Sequence, residues 1–398
     1  MTKPQRPTGG MAPIPTARGG SDAASATPSG DKQTRAVRAA AQHLLDLIAD
    51  DECTEVLLNG PQECLRKEGG ARYHCPDVSF PSVDAYHAAL NDYLLPHVNT
   101  PHRIDGSRVV VEGALVVELP GVPTMHARVH IVCPPGVDHA IVTIAKKPRQ
   151  PVTLDAMVAA GGVSPNAGEF LKAIARGHQT FVVSGATGAG KSTLLQAMTY
   201  FFDPNDRVVV VEETPELQLP LGDVVYLKSS LELPGVSAEE IYTLEFWVKQ
   251  ANRMRMDRVI VGETRGPEMA EWLIAANSGA EGSATTTHSD SPRRCLDKIL
   301  SLASKSATTT SERHLLKEIA ATVDVIVQVA VVDGRHFVTS IEEVSSTVAV
   351  QTGQIQTNPL FVLDRSTMGH AVVGRPSDQL VASLAHSGVT VDPHWFQK

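Results

Sequence analysis

The stretch "TFVVSGATGAGKSTLLQAM", residues 180–198, narrows the possible folds more than any other part of this chain. A short continuous apolar run, "TFVVS", reads as a buried strand, and "KSTLLQAMTYF" reads as a helix. Only the glycine-rich segment between them is left to turn the chain. Glycines 185, 188 and 190 allow the backbone to curl tightly, with its N–H groups gathered on the concave side. The segment fits G-x-x-x-x-G-K-[ST] from Gly185 to Ser192 and lies between strand and helix, the context that makes the pattern a phosphate site. Gly185, Ala186, Thr187, Gly188, Ala189, Gly190, Lys191, Ser192 and Thr193 are therefore the candidate ATP-binding residues. Lys191 would neutralise the β- and γ-phosphates, the Ser192 hydroxyl would ligate Mg²⁺, and the helix N-terminus would add a favourable dipole.

The surrounding sequence extends the same architecture. Ser164 and Pro165 suit the N-cap and first position of a helix running to about Arg176. "RVVVVEE" and "RVIVGE" are further buried strands, with a helix expected from about Ser237 to Met254 between them. "SPRRCLDKILSLA" is a helix capped by Ser291, and "VDVIVQVAVVDGRHFVTSIEEV" is a hairpin turning at Asp333 and Gly334. The remainder to Lys398 reads as short strands and loops. Such alternation predicts an α/β domain built on a parallel sheet with helices on both faces, spanning residues 153–398.

Upstream, residues 1–33 are poor in large apolar side chains and rich in Pro, Gly, Ser and Ala, which predicts a disordered tail. Residues 34–145 begin with helical spacing in "TRAVRAAAQHLLDLIAD". Strand-like runs follow in "SRVVVEGALVVELPG" and "ARVHIVCPPGVDHAIVTIA", giving a smaller α+β domain. Residues 146–152, with their prolines and basic side chains, read as a stiff linker.

Composition excludes several classes. The net charge of -9 argues against a protein that coats nucleic acid through bulk electrostatics. No apolar run approaches the ~20 residues needed to cross a bilayer, and "MTKPQRPTGG" lacks the apolar core of a secretory signal, so the expected address is the cytoplasm. The five cysteines contain no C-x-x-C pair and suggest neither a disulfide framework nor a cysteine zinc site. His126 and His130 would share a strand face, but no third ligand is apparent for a metal there. Trp247 and Trp272 fall at apolar helix positions and read as core.

Three strands end in groups suited to hydrolysis: Glu212 and Glu213 after "RVVVV", Glu263 after "RVIVG", and His288 after "SATTT". In an open parallel sheet the carboxyl ends share one edge, where the phosphate loop also lies. Glu263 is the candidate for orienting the attacking water, Glu212 or Glu213 for acting on Mg²⁺ or a second water, and His288 for sensing the γ-phosphate. Gly262 occupies the place where many phosphate-loop enzymes carry a metal-binding aspartate. Cationic charge for the transition state could come from Arg253, Arg255 or Arg258 in "RMRMDR", or from Arg128.

Taken together, "SGATGAGKSTLL", "VVVVEETPELQL", "NRMRMDRVIVGETRG" and "NSGAEGSATTTHSDSPR" resemble the Walker A, Asp-box, Walker B and His-box motifs of the secretion traffic ATPases, in order and spacing. The pattern resembles the hexameric ATPases of type IV secretion and of tight-adherence (Flp) pilus assembly, over most of residues 100–345. The resemblance implies a RecA-like C-terminal domain, a PAS-like N-terminal domain and a homohexamer binding ATP and Mg²⁺ between the two. It also implies platform proteins of the inner membrane as partners, and peripheral association with that membrane. It makes Glu263 the Walker B glutamate, Glu212 and Glu213 the Asp box and His288 the His-box histidine, and it points to Arg128 as an arginine reaching the γ-phosphate. Three departures stand out. Ala145, Lys146 and Lys147 follow Ile144 where the family often has an arginine, glutamate replaces aspartate in the Asp box, and the four-cysteine module typical of type II enzymes is missing. Two rival expectations remain. One is a RecA-type DNA translocase, which single-stranded DNA should stimulate. The other is a nucleotide-gated docking protein without turnover, against which the intact Lys191 and Glu263 argue.

Overall fold

The computed structural model describes residues 28–68, 71–100, 102–119, 122–146, 151–229, 242–306 and 311–397. The chain falls into two compact units, Met1–Arg149 and Gln150–Lys398.

In the first unit, α1 (Pro28–Ala49) lays Ala40, Ala41, Leu44 and Ile48 on one face, the helical repeat that buries a stripe. It starts at Pro28, so residues 28–33, expected in the tail, are helical. Residues 1–27 lie outside the described ones, as do 147–150 of the expected linker. The other elements are β1 (Glu55–Gly60), β2 (Glu63–Glu68), β3 (Ala71–His74), α2 (Val83–Ala89), β4 (Val110–Leu119), β5 (Val122–Val132) and β6 (Ile141–Lys146). Their sheet has the order β3-β2-β1-β6-β5-β4 and is antiparallel throughout. Cys53, Cys64, Cys75 and Cys133, unconnected as sequence, gather in its core as free thiols. Burial pushes the Cys53, Cys64 and Cys133 thiols up, keeping them protonated and inert.

The second unit contains α3 (Leu154–Ala159), α4 (Pro165–Arg176), β7 (Phe181–Gly185), α5 (Lys191–Thr199), β8 (Arg207–Glu212), β9 (Asp223–Lys228), α6 (Leu244–Ala251) and β10 (Arg258–Val261). After these come α7 (Glu268–Asn277), β11 (Ala284–Thr287), α8 (Pro292–Ala303), α9 (Glu312–Thr322), β12 (Val325–Val332), β13 (Arg335–Val348), β14 (Ile355–Asp364), β15 (Gly369–Val372) and α10 (Asp378–His386). One sheet joins them in the order β15-β14-β13-β12-β7-β11-β10-β8-β9. From β12 to β9 every pairing is parallel, while β12 to β15 form an antiparallel extension, so the sheet is mixed rather than purely parallel. The fold is mixed α/β.

The continuous apolar strands have a simple cause. Val208 and Val210 pack on one face with α4, α5 and α10, while Val209 and Val211 pack on the other with α6, α7, α8 and α9, so no position in the strand is left for water. Caps fall where the sequence places them: Ser164 accepts from the Ala167 N–H and Ser291 from the Arg294 N–H. The β12–β13 turn puts Asp333 and Gly334 both at positive φ, 49° and 77°, as a two-residue hairpin of this hand requires. α6 begins only at Leu244, capped by Thr243, and residues 237–241 of the expected helix lie outside the described ones. The C-terminal stretch carries more structure than expected: β14 is a ten-residue strand, and Ser377 caps α10 through the Leu380 N–H. Trp272 is fully buried, and Trp247 is partly exposed and stacks on Tyr242.

Candidate active site

Parallel pairing of β7, β11, β10 and β8 brings four carboxyl ends to one edge of the sheet. The glycine-rich loop leaves β7 at Gly185, where a side chain is excluded because a Cβ would lie 2.4 Å from the Val329 carbonyl oxygen on β12. Ala186, Thr187 and Gly188 are exposed, Gly188 and Gly190 take positive φ of 72° and 94°, and Lys191 opens α5. His336, at the start of β13, braces the loop, its Nδ1 lying 3.2 Å from the Ala189 carbonyl oxygen. Ser192 and Thr193, on the first turn of α5, are half-buried.

Lys191 is buried, and its Nζ donates to the Ala186 carbonyl oxygen at 3.0 Å and to His288 Nδ1 at 3.2 Å. With Nδ1 accepting, the neutral imidazole carries its proton on Nε2, which lies against Glu263 Oε1. Glu263 Oε2 receives Arg265 at 2.6 Å, and the other arm of that arginine reaches Glu213 Oε2 at 3.6 Å. The polar chain thus runs Lys191, His288, Glu263, Arg265, Glu213 across the ends of β7, β11, β10 and β8.

The electrostatics follow from this crowding. Burial lowers the Lys191 and His288 pKa values, and for His288 the neighbouring Lys191 and Arg265 charges reinforce the shift against the pull of Glu263. Burial alone would raise Glu263, but the hydrogen bond and charge of Arg265, with His288 and Lys191, outweigh it and hold the carboxyl below its usual range. At neutral pH the site therefore presents an ionised Glu263 beside a neutral His288. Glu263 Oε1 is buried and faces His288 Nε2.

Glu212 is turned elsewhere. Its carboxylate accepts from the Glu216 N–H at 3.0 Å and the Leu217 N–H at 3.2 and 3.3 Å, tying down the loop after β8. It also fills the space beside Gly262, where a Cβ would lie 2.7 Å from Glu212 Cγ. Glu212 thus fills the room that a side chain at residue 262 would need.

Of the arginines read as cation sources, Arg258 is fully buried, its Nε 2.6 Å from Asp206 Oδ2, its NH1 3.1 Å from the Gly282 carbonyl oxygen and its guanidinium 4.0 Å from the Phe202 ring centroid. It opens β10, at the end of the strand opposite the loop, and Arg253 and Arg255 precede it there. The structure therefore removes Arg258 as a source of transition-state charge within its own chain, because its charge is consumed by Asp206 in the core. Arg128 sits half-buried on β5 of the first unit, opposite Ala114 and Ala145. The residue that sequence reasoning missed is Arg265, whose only signal was a cation two positions after Glu263.

Fold and site define a mixed α/β protein with a glycine-rich loop at the carboxyl edge of its parallel strands. More narrowly, the chain belongs to the type II/IV secretion system protein family, whose model matches residues 102–359. It is 31% identical over 287 residues to a Mycobacterium tuberculosis relative named "Putative conjugal transfer protein", covering 71% of this chain and 78% of that one. It is 34% identical over 160 residues to the protein VirB11 of Agrobacterium fabrum, covering 40% of this chain and 46% of the relative. The crystal structure of the Yersinia pseudotuberculosis ATPase DotB shares the fold with a TM-score of 0.55 at 16% identity, covering 89% of this chain and 91% of that one. Among the described residues no helix is long and apolar enough to cross a membrane.

Proposed function

We propose that this ATPase is the homohexameric motor of a type IV secretion or tight-adherence (Flp) pilus assembly machine, working at the cytoplasmic face of the inner membrane with the platform proteins there. The observation that carries the reading is the convergence of Lys191, His288 and Glu263 on three adjacent parallel strands around the glycine-rich loop. Family membership and the named relatives support the setting. In this reading residues 153–398 form a RecA-like ATPase domain and residues 34–145 a PAS-like domain, joined by 146–152. Nucleic acid is not its substrate, consistent with the net charge of -9.

ATP would be held by the backbone N–H groups of residues 185–193 and by Lys191, which must trade its bonds to Ala186 and His288 for phosphate oxygens. That exchange frees His288 to follow the γ-phosphate. Glu263, already ionised, accepts from the attacking water and aligns it. The donor set fits Mg²⁺ bound through the Ser192 hydroxyl, phosphate oxygens and waters. Glu212 is engaged with backbone N–H groups, and no cluster of three or more acidic, histidine or cysteine side chains among the described residues could hold the ion alone. Bound there, Mg²⁺ would neutralise charge developing on the β- and γ-oxygens. By the family resemblance alone, Arg128 is the residue proposed to add a further γ-phosphate contact.

Turnover per subunit measured against protein concentration tests the ring. A cation supplied across a boundary is worth on the order of 10³- to 10⁵-fold in rate, so specific activity should climb steeply as subunits assemble. Activity that stays flat while sedimentation shows monomers turning into hexamers would count against a ring completed by neighbours.

A further inference from the structure

Glu263 has three rotatable bonds before its carboxylate, yet aligning a water demands one fixed orientation. The structure shows what fixes it. Its two oxygens are divided: Oε2 is taken by Arg265 at 2.6 Å, while Oε1 faces His288 Nε2. Arg265 is itself anchored from below. Glu268 Oε1 accepts from both the Arg265 N–H, at 2.5 Å, and the Gly266 N–H, at 2.7 Å, and Glu268 is buried at the start of α7. Gly266 is needed for this, because a Cβ there would lie 2.8 Å from Glu268 Oε2. The second arm of the guanidinium reaches Glu213 beyond the end of β8, so the fork spans two neighbouring strand ends.

We propose that Arg265 is a positioning residue for Glu263, a buttress built on Glu268 and steadied by Glu213 that aims the other carboxylate oxygen at the attacking water once His288 turns to the γ-phosphate. This rests on the hydrolytic reading of the site. The Arg265 side chain is half-exposed, and ion pairs of that exposure add little stability, so the role is one of direction. Arg265 acts through Glu263 and leaves the grip on the phosphates to Lys191 and the loop. It also means that the acid after β8 and the acid after β10 are mechanically linked, so a shift of the loop carrying Glu213 is felt at Glu263.

The experiment compares the full-length wild type, Arg265→Gln, Glu263→Gln and the double variant in three measurements: thermal midpoint, affinity for a fluescent-labelled β,γ-imido analogue of ATP with Mg²⁺, and steady-state ATP turnover. Wild-type turnover lost in Glu263→Gln establishes the hydrolytic reading first, so a failure of Arg265→Gln then counts against the arginine alone. The expected result for Arg265→Gln is an unchanged thermal midpoint, analogue affinity within about twofold, and kcat lowered on the order of 10²-fold, the scale of a misaligned reacting group. The double variant should be no slower than Glu263→Gln, because a residue acting through another has nothing further to remove. Unchanged kcat in Arg265→Gln, a loss of analogue binding parallel to the loss of kcat, or multiplicative losses in the double variant would each overturn the proposal.

Discussion

Gly262→Ala offers a sharp test of how the acids at this edge are arranged. The new Cβ would lie 2.7 Å from Glu212 Cγ, 2.9 Å from its Oε1 and 3.2 Å from its Cδ, closer than such atoms approach. Residue 262 does not have a positive φ, so alanine suits the backbone and the whole effect is one of space. Glu212 cannot yield cheaply, because it is 6% exposed and its carboxylate holds the Glu216 and Leu217 N–H groups. Hydrogen bonds to a charged group contribute about 1.5–3 kcal/mol each, and partial rescue by water reduces the loss, so a cost of about 2–4 kcal/mol is expected. For a domain of roughly 150–250 residues each kcal/mol lowers the midpoint by roughly 2–4 °C, giving a fall of roughly 4–16 °C in a thermal melt. The double variant Glu212→Ala, Gly262→Ala removes the collision, so its loss should be smaller than the sum of the two single losses. A Gly262→Ala midpoint within about 1 °C of wild type, or strictly additive losses, would refute the argument that Glu212 fills the room that a side chain at residue 262 would need.

Three further outcomes follow from buried charges. Burial raises Asp324, which accepts from the Thr180 N–H at 2.7 Å, from 3.8 to about 7, so the folded state keeps a proton that the unfolded chain gives up above pH ~4. Its contribution is therefore intact below the unfolded value and lost as pH rises to about 7, by up to about 4 kcal/mol. Asp324→Asn should gain stability over wild type at pH 8 and little at pH 4, and equal effects at both pH values in denaturant titrations would contradict this. In the Arg258–Asp206 pair, Asp206→Ala strands a fully buried cation and should cost about 3–5 kcal/mol, more than Arg258→Met, since His178 remains 3.7 Å from Asp206; the reverse order in urea melts would refute it. Because burial lowers the His288 pKa, turnover should stay flat from pH 8 down through 6.5 and fall only below it, whereas a fall centred above 6.5 would contradict a neutral His288.

The strands and the loop were legible in sequence because their signals are local. A strand buried on both faces is continuously apolar, and a loop curled around phosphates must be glycine-rich. The gathering of Glu263 and His288 followed from one rule, that parallel strands share a carboxyl edge, and the β7, β11, β10 and β8 pairing brings those ends together. What could not be read was direction. Glu212 and Glu213 are adjacent letters, yet one is turned inward onto backbone N–H groups and the other outward toward Arg265, a choice made by the path of the loop to Leu217. Arg258 looked like a cation available to the site because its counter-ion, Asp206, comes from the loop leading into β8. α10 was missed although Ser377 and the apolar positions 380, 381 and 384 carry a cap and a helical repeat, because the preceding short strands suggested more of the same.

The central claim, that Glu263 aligns the attacking water in a site which binds ATP through Lys191 and the glycine-rich loop, is most directly tested by phosphate release from the full chain with saturating MgATP, wild type against Glu263→Gln. The predicted result is a fall in kcat on the order of 10²- to 10⁴-fold with nucleotide affinity retained. Turnover in Glu263→Gln equal to wild type would contradict it.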